Sequence, residues 1–253
     1  MVSSATRSIR CAPLGLCDAK SPLPSRLGLI SQLAASASMH AAQRYNGRAM
    51  RVRITFSKTG PAKYSGHLDL HKTWERILRR AGLPLAYSHG FHPQPKIHLA
   101  AALPLGFTSE CELVDVWLTE SVNVEESVVE LKRAASPGIG ITEVREVAES
   151  LPPMQTLVRS ADYVATVSGE VVGLDQRVAD LISAESLPRE RRGKKYDLRP
   201  LIESLALEGQ VLRMRLAARE AATGRPEEVL DALGLAERQT AVHRARLFID
   251  NGR

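Results

Sequence analysis

The strongest constraint on the fold is a change between two hydrophobic periods along residues 51–147. Arg51–Phe56 alternates apolar and polar residues, which is the period of a half-buried strand. Leu70–Ala81 instead repeats apolar residues at helical spacing. Two strands, a helix and a strand are then predicted at Ile97–Leu103, Cys111–Leu118, Val124–Ala134 and Ile139–Val147. The resulting order, βαββαβ, is that of a ferredoxin-like split βαβ fold.

A second set of elements follows a boundary at Leu151–Pro153. The pattern predicts a strand, a helix, a short strand or turn, a helical turn, a strand, a helix and a strand. These elements lie at Asp162–Val167, Leu174–Ser186, Lys194–Leu198, Pro200–Leu205, Val211–Leu216, Pro226–Leu233 and Val242–Ile249. We therefore predict an α+β protein of two tandem ferredoxin-like halves with antiparallel sheets, at residues 50–150 and 151–253.

The first 49 residues differ in composition from the rest of the chain. They hold six Lys/Arg and one acidic residue, and their single apolar run is too broken for a signal peptide. Met50 directly precedes the first predicted strand, and Met39 lies slightly upstream. We expect residues 1–49 to be a disordered or mis-annotated extension, with translation starting near Met39 or Met50.

The net charge of +6 is unevenly distributed along the chain. Residues 51–98 carry nine Lys/Arg against two Asp/Glu, residues 99–188 carry five against fifteen, and residues 189–253 carry fourteen against ten. A basic segment suits an anionic partner such as nucleic acid. A solvated surface explains the same counts equally well.

The sequence also excludes several classes of protein. Three sparse cysteines, Cys11, Cys17 and Cys111, argue against a disulfide framework and for a reducing compartment. The cysteine spacing that holds the iron–sulfur cluster of a radical SAM enzyme is absent, as are phosphate-loop, dinucleotide and nucleophile-elbow motifs. No apolar run approaches membrane-spanning length. We therefore expect a cytoplasmic protein with no cofactor and no membrane contact.

A cluster of histidines marks the candidate site. Five of the seven lie between His67 and His98, around a predicted helix start and the Gly/Pro loop after that helix. His67, Asp69 and His92 are the candidate catalytic residues, because an imidazole beside a phosphate can act as a general acid or base. Alternatively, His67 and Asp69 cap the helix or brace the loop. Metal binding is disfavoured, because residues at i, i+2 and i+4 do not share one helix face, and we predict no metal site.

The same segment contains candidates for binding an anion or RNA. Backbone N–H groups at a helix start can hold a phosphate with help from nearby cations, and a loop aromatic can stack on a base. The candidate residues are Lys58, Lys63, Arg76, Arg79, Arg80, Phe91 and Lys96. A solvated helix face would account for Arg76 and Arg79, and packing against the core would account for Phe91.

Several stretches of residues 50–253 resemble one bacterial family. They include R-I-T-F-S-K-T-G-P-A-K-Y-S-G-H-L-D-L, E-R-I-L-R-R-A-G-L-P-L-A-Y-S-H-G-F-H-P-Q-P-K-I and A-L-P-L-G-F-T-S-E-C-E-L-V-D-V. On these residues the chain resembles the radical SAM-linked, or radical SAM-associated, proteins, a domain of unknown function. It departs from the family pattern at Ser65–Asp69, where S-H-L-D is usual, and at Gly90–Pro93, where G-F-N-P is usual.

The resemblance implies a partner more than an activity. Members of this family occur fused to, or encoded beside, a radical SAM protein with a cobalamin-like domain. It suggests an accessory protein of a radical SAM enzyme system that presents a basic surface to RNA or another anionic partner. Two alternatives stay open. One is a metal-independent RNA-processing or RNA-modifying enzyme centred on His67, and the other is a protein–protein scaffold only.

Overall fold

A computed structural model describes residues 49–169, 171–235 and 240–250, which form a mixed α+β fold. The strands are β1 (Met50–Lys58), β2 (Ile97–Leu99), β3 (Thr108–Leu118), β4 (Ile139–Val147), β5 (Val158–Val167), β6 (Pro188–Arg191), β7 (Lys194–Asp197), β8 (Ile202–Glu208), β9 (Val211–Arg219), β10 (Ala222–Thr223) and β11 (Thr240–Ile249). The α-helices are α1 (His67–Arg80), α2 (Val124–Ala134), α3 (Met154–Leu157), α4 (Leu174–Ser183) and α5 (Pro226–Ala232). None of these helices has the length and apolar character needed to cross a membrane. The predicted extension lies outside the described residues, except for Ala49.

Nine of these strands form one sheet. Its order is β10-β9-β5-β11-β3-β1-β4, with β2 also paired to β3 and β8 to β9. The described strand pairs are antiparallel except for β3 and β11, which run parallel where Thr108 and Ser109 meet His243 and Arg244. This contact joins the strands of both halves. The described strand pairs within residues 50–150 and within residues 151–253 are antiparallel, as predicted. The parallel pair between the two ranges was not predicted.

The first half packs its two long helices on one face of the sheet. Val52, Ile54 and Phe56 alternate along β1 and are buried in the main apolar core. Trp74 of α1 is fully buried and its ring meets that of Phe56 edge-on at 4.8 Å. A large side chain buried in this way stabilises the fold by roughly 1.5–3 kcal/mol. At the start of α2, the side chain of Asn123 accepts hydrogen bonds from two backbone N–H groups of the first turn.

The second half repeats this connectivity. Its strands lie in the order β8-β9-β5-β11, with α4 between β5 and β8 in sequence and α5 between β9 and β11. The first half has the matching order β2-β3-β1-β4. The β6–β7 hairpin, a separate two-stranded sheet, is inserted between α4 and β8.

Several element boundaries differ from the sequence prediction, and two of the differences are large. The helical turn predicted over Pro200–Leu205 is wrong beyond Leu201, because residues from Ile202 onward pair with β9 as strand β8. A short 3-10 helix does form at Arg199–Leu201, but tertiary pairing then imposes the extended conformation. The strand predicted over Ile97–Leu103 ends at Leu99.

Candidate functional site

Helix α1 separates its apolar and basic residues onto opposite faces. Trp74 and Ile77 are buried against the sheet, whereas Arg76, Arg79 and Arg80 are exposed. Arg79 and Arg80 lie in the last turn, where cations interact favourably with the negative end of the helix dipole. The helix therefore presents the three predicted arginines to solvent.

The two predicted lysines near the start of α1 differ in their access to solvent. Lys58 is buried, and its Nζ donates hydrogen bonds to the carbonyl oxygens of Ser65 at 2.9 Å and Lys63 at 3.5 Å. Burial lowers the pKa of Lys58, while Glu112 opposes that shift. The Lys63 ammonium is half-buried and lies 5.0 Å from the ring centre of Tyr64. Lys58 thus holds the turn before α1 and does not face a ligand.

The candidate catalytic residues His67 and Asp69 lie in the first turn of α1 and are exposed. Although the residue as a whole is exposed, its imidazole is partly buried, and this burial lowers the pKa of His67. Nearby His71 lowers it further, and Glu112 opposes the shift without reversing it. The Nε2 atom of His71 lies 3.3 Å from the carbonyl oxygen of Ile97. In the described part of the chain, no three His, Cys, Asp or Glu side chains are grouped so that they could hold a metal ion.

The loop between α1 and β2 is a narrow hairpin. The N–H of Ser88 donates to the carbonyl oxygen of Gln94 at 2.8 Å, and the N–H of Lys96 donates to that of Ala86 at 2.8 Å. These bonds fix the base of the loop, whereas the side chain of Phe91 at its tip is fully exposed. Phe91 is therefore not packed into the core.

The structure brings some of the candidates together and leaves others apart. The Nη2 atom of Arg79 lies 3.4 Å from the hydroxyl of Tyr87, which ties the end of α1 to the base of the loop. His92 is exposed at the tip. No hydrogen bond or ion pair between described residues connects His92 to His67 or Asp69. With a rise of about 1.5 Å per residue, His67 and Arg79 lie roughly 18 Å apart along the helix.

Comparisons with known proteins identify the family. Residues 51–226 match the family described as an uncharacterized protein conserved in bacteria, DUF2344. The chain belongs to the DUF2344 family. The match covers α1, the hairpin loop and most of the second half, and among curated proteins none matches.

Solved structures show partial similarity to this DUF2344 protein. A crystal structure of a Cbf5-Nop10-Gar1 complex matches with a TM-score of 0.41 and 14% identity, over 79% of this chain and 50% of that chain. An archaeal box H/ACA Nop10-Cbf5 complex matches with a TM-score of 0.38 and 12% identity, over 79% and 49%. An unknown protein from Galdieria sulphuraria matches with a TM-score of 0.25 and 13% identity, over 80% and 99%. The chain thus spans about half the length of the first two matches, and this level of similarity does not indicate a function.

The sequence analysis missed a buried ionic cluster around Asp115. Both Arg51 and Arg53 donate to its carboxylate, with their Nε atoms at 3.0 and 2.8 Å. Arg51 also donates to the carbonyl oxygens of Leu151 and Pro152 in the segment between the two halves. All three charged side chains are at most 2% exposed. They hold the linking segment against the sheet of this DUF2344 protein.

A second buried cluster lies where β3 and β11 meet. Nη1 of Arg244 donates to the carboxylate of Glu112 at 2.9 Å, Nε donates to the hydroxyl of Tyr163 at 3.2 Å, and Nη2 donates to the carbonyl oxygen of Ala102 at 2.7 Å. Burial alone would lower the pKa of Arg244, but the interactions with Glu112 and Tyr163 outweigh burial, and the pKa is raised above its ordinary value. Burial also raises the pKa of the nearby Cys111 thiol to about 11, so the thiol is protonated at neutral pH.

Sequence reasoning had only a weak signal for these two clusters. Arg51 and Arg53 alternate with apolar residues, and that pattern places them on the face of β1 that a single strand would offer to water. Their partner, Asp115, is more than 60 positions away in the chain, as the separations of 64 and 62 show. The available hint was that the apolar strand Cys111–Leu118 contains two acidic residues, Glu112 and Asp115.

Proposed function

We propose that this protein is a binding module that presents a basic surface to RNA. The supporting observation is the exposed row of Arg76, Arg79 and Arg80 beside a hairpin loop whose tip carries the fully exposed Phe91. Lys96 adds an exposed cation at the base of that loop. Guanidinium groups pair with phosphates, and an exposed aromatic ring can stack on a base for about 1–3 kcal/mol.

The module acts, in this proposal, as an accessory protein of a radical SAM enzyme system in the cytoplasm. The family resemblance supports a partner that carries a radical SAM domain and a cobalamin-like domain. The proposal also takes each half to be a ferredoxin-like fold. The supporting observation is that both halves have the same strand order, β2-β3-β1-β4 in the first and β8-β9-β5-β11 in the second. Fold alone does not determine function, so the RNA-binding part rests on the surface of α1 and its loop.

RNA binding tests the proposal directly. A triple variant, Arg79→Glu, Arg80→Glu and Lys96→Glu, removes three cations from this surface. Because each lost phosphate contact also removes a released counterion, we expect affinity for RNA to fall at least about tenfold and its salt dependence to weaken. The measurement is RNA binding by fluorescence anisotropy at several salt concentrations.

The matched control variant has the same change in net charge, but its substitutions lie outside α1 and the hairpin loop. Arg133→Glu, Arg145→Glu and Arg213→Glu alter exposed residues on α2, β4 and β9. This control should bind RNA nearly as well as the wild type. Equal binding by all three proteins would refute a role for α1 and its loop.

The radical SAM partner requires a separate test. The tagged protein should co-purify with a radical SAM protein from cells of its own organism. If the two proteins stay associated after RNase treatment and the purified protein binds no RNA, the result would favour a protein–protein scaffold. Failure to associate with or without RNA would contradict the accessory role.

A second candidate function, an RNA-processing or RNA-modifying enzyme, centres on His67. The observation that favours it is the exposed position of His67 together with its lowered pKa, which keeps the imidazole neutral and able to accept a proton near neutral pH. Incubation of the pure protein with total RNA should then produce new ends or altered nucleosides. A His67→Ala variant that retains this activity would exclude His67.

A further inference from the structure

A basic groove lies in the second half, far along the chain from the histidine cluster. The β6–β7 hairpin and the β9–β10 hairpin line two adjoining cavities of about 420 and 590 Å³, which share Arg191 and Thr223. In the sequence this region is the basic run R-E-R-R-G-K-K, whose charges suit contact with nucleic acid but favour a mobile solvated loop. The structure instead forms it into paired strands beside a concave surface.

Cations dominate the lining of this groove. Six come from its two hairpins and the start of α5, namely Arg191, Arg192, Lys194, Lys195, Arg219 and Arg225, and Arg244 lies at the floor. The carboxylates that line it are Asp197, Glu220 and Glu227. A concave, positively charged surface concentrates anions more strongly than the same charges on a convex surface.

One of those carboxylates, that of Asp197, already accepts hydrogen bonds from backbone N–H groups. Asp197 Oδ1 accepts hydrogen bonds from the N–H groups of Leu187 at 2.7 Å and Arg199 at 2.9 Å. These two backbone bonds lower the pKa of Asp197, so it stays ionised while it holds the ends of the hairpin. Asp197 therefore serves the hairpin's structure and is not directed at the cations of the groove.

The cations of the groove keep most of their donors available. Arg219 and Arg225 meet carboxylates only at 3.7 Å, near the limit of an ion pair. Among the described residues, no ion pair involves Arg191, Lys194 or Lys195. By contrast, Arg215 on the open face of the same half donates to Asp162 at 2.7 and 3.1 Å, and its donors are used.

Two tight hairpin turns border the groove. Arg192 and Ala221, with φ of 49° and 64°, are the two described residues other than glycine with a left-handed backbone. Each lies at the tip of one hairpin, and both line the same cavity. Two-residue hairpin loops favour this conformation, because it matches the twist of the paired strands. The two turns therefore place the cations that flank them beside the same cavity.

We propose that this groove binds the phosphate groups of a ligand. The planar guanidinium groups of Arg191, Arg219 and Arg225 can each pair with two phosphate oxygens, and the lysines of the hairpin add point charges. The ring of Tyr196 lines the adjoining cavity and offers a face on which a base can stack. The site is separate from the surface of α1, so either can fail without the other.

The closing experiment compares two probes, pyrophosphate and a 5′-phosphorylated single-stranded RNA, on the full chain. The groove variant is Arg191→Glu with Lys194→Glu. These two residues face each other across the hairpin. The variant therefore replaces two facing positive charges by two facing negative charges, and we expect little change in strand pairing. The control variant, Arg145→Glu with Arg213→Glu, has the same net charge.

We expect the groove variant to bind pyrophosphate roughly tenfold or more weakly, because the two changes remove charge-assisted contacts with phosphate. The same loss is expected for the RNA when the groove changes are made in the triple variant of α1. The control variant and the triple variant of α1 should bind pyrophosphate as the wild type does. The source of the phosphate is read in the triple variant of α1, so that RNA held by α1 does not contribute. In that variant, much tighter binding of RNA than of pyrophosphate identifies a nucleic-acid strand as the source, and similar affinities identify a small phosphorylated ligand.

Two results would overturn the proposal. One is an equal loss in the groove and control variants, which would mean that only the overall charge matters. The other is a wild type that binds neither probe, and binding of an acidic peptide by that protein would assign the groove to carboxylates instead. Should the groove variant melt early, Arg191→Gln with Lys194→Gln replaces it and carries the same expectations with a smaller loss.

Discussion

The cations of β1 and those of α1 come from one basic segment of the sequence but have opposite environments. Arg51, Arg53 and Lys58 lie on β1 and are at most 2% exposed. Arg79 and Arg80, on α1, are exposed. The polar face of β1 lies against the segment that contains Leu151 and Pro152, to which Arg51 donates. A helix packed on a sheet instead keeps one face in water.

The difference shows that the charge of a segment is not the charge of a surface. Three of the nine Lys/Arg in residues 51–98 are buried and bonded inside the protein. Arg51 and Arg53 share the carboxylate of Asp115, and Lys58 donates to two backbone carbonyl oxygens. Burying a charge costs several kcal/mol unless a partner and hydrogen bonds compensate. The buried cations are therefore structural, and only the exposed ones are available to an anionic ligand.

The largest expected effect comes from removing the shared anion of the first cluster. Asp115→Ala leaves two buried guanidinium groups without a carboxylate. We expect the free energy of unfolding to fall by about 3–5 kcal/mol, as for other broken buried ion pairs. Chemical denaturation measures it. A loss below about 1 kcal/mol would mean that water or other groups compensate both arginines, and the contrast between β1 and α1 would lose its physical basis.

A matched pair of arginines gives the next largest effect. Arg53→Met should destabilise by roughly 1–3 kcal/mol, because Asp115 loses one charged donor but keeps Arg51. Arg79→Met should change stability by less than about 0.5 kcal/mol, because Arg79 is exposed. Thermal and urea unfolding of both variants test the contrast. Similar values for the two would contradict it.

The smallest effect is a pH dependence at His67. Its pKa in the folded protein lies below the ordinary value of 6.5, so folding disfavours the protonated imidazole. The unfolded chain then binds more protons in the window just below 6.5, and the stability that His67 contributes falls as the pH drops through that window.

A His67→Gln variant lacks this titration. The free energy of unfolding of the wild type, relative to that of His67→Gln, should therefore decrease between about pH 7 and about pH 5. Denaturation curves at several pH values measure the difference. A flat difference, or one that rises on acidification, would contradict the lowered pKa.

The candidate site was only partly predictable. The exposed arginines of α1 follow from helical periodicity, because their side-chain direction depends on local geometry alone. The burial of Lys58 does not, because it depends on where the turn after β1 places the carbonyl oxygens of Lys63 and Ser65. The groove between the two hairpins could not be predicted for the same reason, since its lining residues come from separate parts of the chain, from Ala100 to Arg244.

The sequence by itself determined the local elements, such as β1, α1 and α2, because hydrophobic period, caps and breakers act over a few residues. The tertiary structure alone decided that β3 and β11 pair in parallel and join both halves in one sheet. That pairing buries Arg244 against Glu112, 132 positions away. No local pattern encodes such a contact, because its stability arises only once the low-dielectric interior has formed around both charges.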